Sequence, residues 1–237
     1  MSNDQIPLKD TTTEASVIDA VWPSIIRNSL GLGLFAVFTV GLISITWMLT
    51  QEQIQAQVHA YEAKALMEIL PQNTHENILV DSKIILAPSK LLSNQMAAEG
   101  YIAMNDGQVS AIILPVIAPD GYNGRIDLLV GIQRDGNLTG VRAVTHKETP
   151  GLGDKINTNV SDWILDFTGK SLSNPKTEGW GVKKDGGEFD QFTGATITPR
   201  AVVAAVYRAL KYFNANKKYL LNPKNIYSIS EENSNGQ

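Results

Sequence analysis

Apolar positions form three successive patterns along this chain. Residues 29–50 are an uncharged, largely apolar run of 22 residues, and apolar residues at helical spacing follow it. From about Lys83 the apolar residues instead occur in short runs rich in Val and Ile. At about 1.5 Å of rise per residue, the first run covers the roughly 30 Å hydrocarbon core of a bilayer. The order of patterns therefore predicts a transmembrane helix, an amphipathic helix and a β-rich body.

The first run has two competing interpretations, a cleaved signal peptide and a buried core helix. A signal peptide has an apolar region of about 7–15 residues and a cleavage site of small residues. This run is longer, and the sequence QEQIQAQ follows it. Trp22 and Trp47 lie near its ends, where indole rings favour the membrane interface. A membrane anchor over residues 22–50 is the favoured interpretation.

Charge predicts how the anchor is oriented. Arg27 precedes the apolar run, whereas the next basic residue after it is Lys64. Positive residues stay on the cytoplasmic side of a span. Residues 1–21 are therefore expected to form a short, mobile cytoplasmic tail. The body is expected outside the inner membrane, in the periplasm of a Gram-negative cell.

An amphipathic helix is predicted over residues 51–71, as a periplasmic stalk. Its apolar residues recur at steps of three and four, and Pro71 closes it. These residues are Ile54, Val58, Tyr61, Ala65 and Ile69.

The β-rich body predicts an antiparallel sheet within an α+β domain over residues 72–220. Its apolar runs are KIILA, EGYIAMND, QVSAIILPVIA, RIDLLVGIQRDG and LTGVRAVTH. Three Asp-Gly pairs suit hairpin turns: Asp106-Gly107, Asp120-Gly121 and Asp135-Gly136. A helix around SDWILDF, a strand near WGVKK and a C-terminal helix from Pro199 to about Lys217 follow. Residues 221–237 are predicted to be a tail.

Composition narrows the chemistry. The 237 residues carry a net charge of −4 without a dense basic stripe, which argues against nucleic-acid binding. The absence of cysteine excludes thiolate nucleophiles and cysteine-ligated zinc or iron–sulfur sites. The three histidines are far apart in sequence and lack a ligand-like spacing. Any redox chemistry therefore needs a bound cofactor.

Two glycine-rich loops interrupt the regular pattern, KETPGLGDK at 147–155 and KKDGGEFDQFTGATIT at 183–198. Each loop alone is also compatible with an ordinary surface turn. In the second, Thr198 and Pro199 suit the N-cap and first position of a helix. The N–H groups of such a helix favour a phosphate, and Gly194 with Ala195 leaves room for a bulky ligand. Lys183 and Lys184 either add positive charge or form a solvated strand end.

The second loop resembles a known flavin attachment motif. Residues 190–196, DQFTGAT, match the pattern Asp, two variable residues, Ser or Thr, Gly, Ala, Thr. That motif belongs to FMN-binding domains of the Rnf and Na⁺-translocating NADH:quinone oxidoreductase complexes. The resemblance implies that a separate flavin transferase joins the phosphate of FMN to Thr196. Residues 148–154, ETPGLGD, resemble the second signature of this family, a loop near the flavin ring.

One transmembrane helix before such a domain is similar to the G subunits of the Rnf complex, also called Rsx. This resemblance covers roughly residues 22–215. It implies an electron-transfer subunit with covalent FMN, which works with the other membrane subunits of an ion-translocating complex. Such a subunit belongs to an oxidoreductase and turns over no substrate alone. The C subunit of the sodium pump, which usually has a longer extramembrane region, is the runner-up.

The resemblance also assigns candidate FMN-binding residues. Thr149, Leu152 and Gly153 are expected to border the flavin ring. The phosphate end is expected to be shaped by Thr193, Gly194, Ala195 and Thr198, with Lys184 supplying charge. Two other functions remain open, a membrane-anchored module that binds a phosphorylated ligand noncovalently and a purely structural subunit.

Overall fold

The computed structural model of the protein describes residues 11–70 and 82–228. The first part of the predicted cytoplasmic tail, Pro71 and the end of the predicted C-terminal tail lie outside these ranges. The chain divides into two compact units, residues 1–58 and 59–237.

In the first unit, the described residues are helical. Helix α1 runs Thr11–Ile69 and includes Pro23, so it begins within the predicted tail. Its segment Ile25–Gln51 is long and apolar enough to cross a membrane, by length and composition. Threonine hydroxyls there donate to backbone carbonyls one turn earlier, as from Thr46 Oγ1 to the oxygen of Leu42 at 2.9 Å. These hydroxyls thereby find partners inside the helix, as a lipid environment requires.

The second unit contains an antiparallel sheet, as the α+β prediction required. Its strands lie in the order β5-β4-β3-β2-β1-β6. Their bounds are β1 Ser82–Leu86, β2 Ala98–Asn105, β3 Gln108–Gly121, β4 Gly124–Gln133, β5 Leu138–Thr145 and β6 Ile226–Ser228. The first five strands match the five apolar runs of the sequence. Strand β6 pairs with β1 and lies in the predicted tail, so that part of the tail prediction is wrong.

Both faces of the sheet are covered by helix. Helix α2, Ile197–Leu220, packs on one face, where alternate residues of β3 such as Ile112 and Leu114 are fully buried. The intervening Ile113 belongs to a second cluster with Ile69 on the other face. Because both faces are buried, β3 reads as a continuous apolar run.

The end of α1 covers the second face. Ala65, Leu66, Ile69 and Leu70 are buried there, in agreement with the amphipathic pattern at Ala65 and Ile69. Ile54 is exposed. The side chains of Val58 and Tyr61 lie outside the described part of the structure.

Two of the three predicted Asp-Gly turns are confirmed. Asp106-Gly107 joins β2 to β3, and Asp135-Gly136 lies in the turn between β4 and β5. The prediction at Asp120-Gly121 is wrong, because β3 continues through Gly121 and the chain turns at residues 122–123. Gly124 supplies the positive φ of +105° in that turn.

The two short elements predicted after the sheet differ in outcome. The helix predicted around SDWILDF is a 3-10 helix, Trp163–Phe167. The strand predicted near WGVKK is wrong, because Val182 makes only an isolated parallel bridge to Phe189 and Lys183–Asp185 is a 3-10 turn. Gly186 then adopts a φ of +88°, which reverses the chain. Shorter 3-10 helices occupy Gly153–Ile156, Thr177–Gly179 and Pro223–Asn225.

We expect Gly131→Ala to destabilise the second unit. A Cβ atom at Gly131 would overlap Cγ2 of Ile69 and Oγ1 of Thr139, so the end of α1 must shift from the sheet. Overpacking of this kind costs about 1–3 kcal/mol. The free energy of unfolding measured by chemical denaturation tests this. Gly181→Ala is the control, since its added Cβ would lie 3.8 Å from the nearest atom, and equal stability of the two variants would contradict the expectation.

Candidate functional site

The DQFTGAT segment forms a tight turn that leads directly into α2. The N–H of Ala195 donates to the carbonyl of Phe192 at 3.1 Å, which closes the turn around Thr193 and Gly194. Gly194 has a φ of +81°, a conformation that side chains other than glycine adopt rarely. Phe192 is buried, whereas Thr193 is exposed. The glycine of the motif is therefore required by the backbone.

Helix α2 begins two residues earlier than predicted, at Ile197. The N-cap assignment of Thr198 and the first-position assignment of Pro199 are therefore wrong. Thr196 occupies the N-cap position with a helical backbone, φ −79° and ψ −24°, and its side chain makes no capping hydrogen bond. Pro199 is tolerated there because N–H groups in the first turn of a helix lack an intrahelical acceptor. Thr196 is half-buried, and its hydroxyl is not used for capping the helix.

Thr198 has a different role. Its side chain is fully buried, and its Oγ1 donates a short hydrogen bond to Oε2 of Glu148. The hydroxyl therefore fixes the start of α2 to the loop that follows β5.

Glu148 is a buried carboxylate, 5% exposed, that joins three segments. Besides the bond from Thr198, its Oε1 accepts the backbone N–H of Asn123 at 3.1 Å, from the tip of the β3–β4 hairpin. Gly153 packs against it, since an added Cβ there would lie 2.6 Å from Oε2. A buried charge is expensive unless hydrogen bonds compensate it. These contacts fix the hairpin tip, the 148–153 loop and the helix start together.

The 148–153 loop is built around the carbonyl of Thr149. That oxygen accepts the N–H groups of Leu152 and Gly153, both at 3.1 Å. The hydroxyl of Thr149 accepts from Nδ2 of Asn123 at 3.2 Å. Two adjacent residues at the start of the loop, Glu148 and Thr149, thus bond to the same hairpin tip.

The structure brings the two predicted loops together. A Cβ atom added at Gly194 would lie 3.5 Å from Cδ2 of Leu152. Leu152 is 41% exposed and Ile197, which follows Thr196, is 47% exposed, so each loop contributes exposed apolar surface next to the motif. Such a surface suits the face of a flat, largely apolar ring.

Buried aromatic side chains pack against the DQFTGAT turn. Phe192 packs edge-on against Trp163 at a centroid distance of 4.9 Å, and Nε1 of Trp163 donates to the carbonyl of Asp190 at 2.8 Å. Phe167 stacks on Phe189, with centroids 4.5 Å apart. The backbone of the motif is therefore anchored at two points on a rigid cluster.

Charged side chains border the exposed side of the turn. Lys183 pairs with Asp190 at 2.7 Å, and Arg200 holds Asp185 with two hydrogen bonds of 2.6 Å. The bonds from Arg200 lower the pKa of Asp185, and the charge of Lys184 acts in the same direction. The backbone N–H of Lys184 donates to Oε1 of Gln191 at 3.2 Å. The exposed Lys184 thus adds positive potential to this side of the turn.

Several structurally important residues were missed by the sequence reasoning. The second signature includes Glu148 but predicts no role for its carboxylate, and a turn predicted at Asp120-Gly121 does not single out Asn123. Trp163, Asp185 and Arg200 also lay outside the candidate set. A sequence signal existed only for Arg200, which follows Thr196 by one helical turn.

Family comparisons match both parts of the chain. Residues 121–211 match the family described as "FMN-binding domain". Residues 20–69 match the family described as "RnfG N-terminal region". A solved structure, NqrC from Shewanella oneidensis, aligns with a TM-score of 0.41 and 23% identity, over 64% of this chain and 73% of that one.

Curated relatives are similar over most of the chain. A protein of Pseudomonas aeruginosa strain PAO1 is 50% identical over 85% of this chain and 94% of its own length. A Vibrio vulnificus protein is 46% identical over 83% of this chain and 92% of its own length. A Shewanella loihica protein is 46% identical over 84% of this chain and 94% of its own length. All three carry the name of the G subunit of an ion-translocating oxidoreductase complex. With these matches over both the N-terminal region and the FMN-binding domain, the chain belongs to the RnfG family, the G subunits of ion-translocating oxidoreductase complexes.

Proposed function

We propose that this chain is the electron-transfer subunit of an Rnf-type complex and carries FMN as a phosphoester on Thr196. The observation that supports this best is the contrast among the three threonines of the motif. Thr198 is fully buried and bonded to Glu148, and Thr193 lies on the turn away from the helix. Thr196 is half-buried and makes no capping hydrogen bond, and it lies between the exposed Ile197 and the Gly194 turn that Leu152 contacts.

The residues around Thr196 fit FMN. Gly194 and Ala195 have little or no side chain and so leave room for a ligand to approach the hydroxyl. Thr193 adds a polar group at the phosphate end. Thr149, Leu152 and Gly153 would border the ring, with the loop geometry held by Glu148. Lys184 would contribute positive charge to the phosphate.

Attachment exchanges one bond to phosphorus for another. The Oγ of Thr196 forms a bond to the flavin phosphorus, the hydroxyl proton leaves, and the bond to the leaving group breaks. A phosphate monoester is a poor donor, so the transferase needs a flavin dinucleotide whose nucleotide departs. FMN, when bound, supplies the redox chemistry. The protein holds it, shields one side from water and adds positive charge beside the phosphate.

We further propose that the subunit works in the inner membrane with the other Rnf/Rsx subunits. The candidate span Ile25–Gln51 supports an anchored position. Arg27, at the N-terminal end of this span and before the uncharged run 29–50, supports a cytoplasmic N-terminus and a periplasmic FMN domain, with residues 51–71 as the stalk. A tether has a clear benefit there, because a covalently held cofactor does not dissociate into the periplasm.

Thr196→Ala is expected to abolish flavin incorporation when the chain is co-expressed with a flavin transferase. Thr193→Ala is the matched control and is expected to keep most of it, since Thr193 does not carry the tether. Intact mass and visible absorption measure the loss. A yellow Thr196→Ala protein with the mass of one added FMN would contradict the assignment.

Glu148→Ala is expected to destabilise the domain and reduce flavin incorporation together. The change leaves the buried hydroxyl of Thr198 and the partly buried N–H of Asn123 without their acceptor. The loss at the buried hydroxyl alone costs about 1–3 kcal/mol. Thermal unfolding and the fraction of loaded protein are the measurements. Glu178→Ala, at an exposed glutamate, is the control, and equal behaviour of the two variants would refute the role of Glu148.

The orientation is testable because the chain has no cysteine. Ser173→Cys, in an exposed loop of the FMN-binding domain, is expected to react with a membrane-impermeant maleimide in cells with a permeabilised outer membrane. Ser16→Cys is expected to react only after lysis. The reverse labelling pattern would place the domain in the cytoplasm.

A further inference from the structure

Arg200 shares a helix face with the proposed tether. Its backbone N–H donates to the carbonyl of Thr196 at 3.4 Å, so the two residues are one turn apart on α2. Residues at this spacing lie on the same face, about 5–6 Å apart at Cβ. Side chains of a helix also tilt toward its N-terminus. The side chain of Arg200 therefore extends toward the side of the helix where Thr196 lies.

Asp185 fixes the guanidinium in one orientation. Its Oδ2 accepts from Nε of Arg200, and its Oδ1 accepts from Nη2, both at 2.6 Å. The same two bonds raise the pKa of Arg200 and lower that of Asp185. Such a two-bond pair sets the plane of the guanidinium as well as its position.

The other edge of the guanidinium is open. A guanidinium has five N–H donors, and Asp185 uses the edge formed by Nε and Nη2. Among the hydrogen bonds of the described residues, none uses Nη1 of Arg200. Arg200 is also 45% exposed as a side chain, so solvent or an anion can reach that edge.

Asp185 is itself joined to the flavin motif. It ends the 3-10 turn Lys183–Asp185, which is bonded to the motif through Lys183 and Asp190 and through Lys184 and Gln191. The positioning carboxylate and the turn that presents Thr196 thus form one hydrogen-bonded unit.

The charge balance around the motif favours one added anion. Between residues 183 and 200 there are three basic and three acidic residues, and one of the acids, Glu188, is paired with Lys170 at 3.1 Å. With Lys170 included, one positive charge remains. A phosphate joined to both flavin and threonine carries one negative charge.

We propose that Arg200 binds the phosphate of the Thr196-linked flavin through its open edge and that Asp185 is the positioning residue that orients it. This inference rests on the proposed function, because it assigns a partner to the tether phosphate. A lone surface ion pair with no ligand is the competing explanation. It predicts that replacing Arg200 leaves the phosphate environment unchanged.

The test uses the full chain, co-expressed with a flavin transferase and purified in a phosphorus-free detergent. In the ³¹P NMR spectrum, Arg200→Gln is expected to shift the tether resonance, and Asp185→Asn is expected to shift it less. Incorporation at limiting transferase is expected to fall about tenfold in Arg200→Gln, as expected for loss of a charge-assisted hydrogen bond. Arg200→Lys keeps the positive charge, and its incorporation is expected to lie between that of Arg200→Gln and that of the wild-type chain.

Arg134→Gln is the matched control, since Arg134 is exposed and lies just after the end of β4 opposite the hairpin tip. It is expected to leave both measurements unchanged. An unshifted resonance in loaded Arg200→Gln overturns the proposal, even if incorporation falls, because Arg200 then serves only transferase recognition. If Arg200→Gln does not fold, the resonance of Arg200→Lys decides in the same way. An unmodified Thr196 in the unaltered chain overturns both this inference and the proposed function.

Discussion

The buried carboxylate of Glu148 is the interaction on which the rest of the site depends. It holds the hairpin tip through Asn123 and the start of α2 through Thr198, with Gly153 packed against it. Three segments far apart in sequence are thereby fixed in one place. Because a buried charge without these donors is costly, the carboxylate and its donors specify one arrangement of the loops.

This arrangement gives three residues of the second loop different roles. Thr198 is used for structure, Gly194 for the reversal of the backbone, and Thr196 remains available for attachment. The aromatic cluster under Phe192 and the charged pairs on the outer side hold the turn from opposite directions. Membership of the RnfG family and its FMN-binding domain agree with a site built to hold a flavin at the end of a helix.

Features set by local sequence were predictable. The strands followed from apolar runs, two turns followed from Asp-Gly pairs, and the proximity of the two loops was expected from the family resemblance. Features set by distant contacts were not. The pairing of β6 with β1 depends on residues more than 140 positions apart, and the extension of β3 beyond Asp120 moves the turn to Asn123. The start of α2 was misplaced because the Thr-Pro pair satisfies the local rule for a cap, whereas the turn at Gly194 already sets Thr196 helical.

The most direct test of the tether is tandem mass spectrometry of the protein purified from its native membranes. Trypsin releases residues 185–200 as one peptide, which contains Thr193, Thr196 and Thr198. The account predicts that fragment ions assign the mass of one FMN, less one water, to Thr196. An unmodified peptide, or a flavin on Thr193 or Thr198, would contradict it.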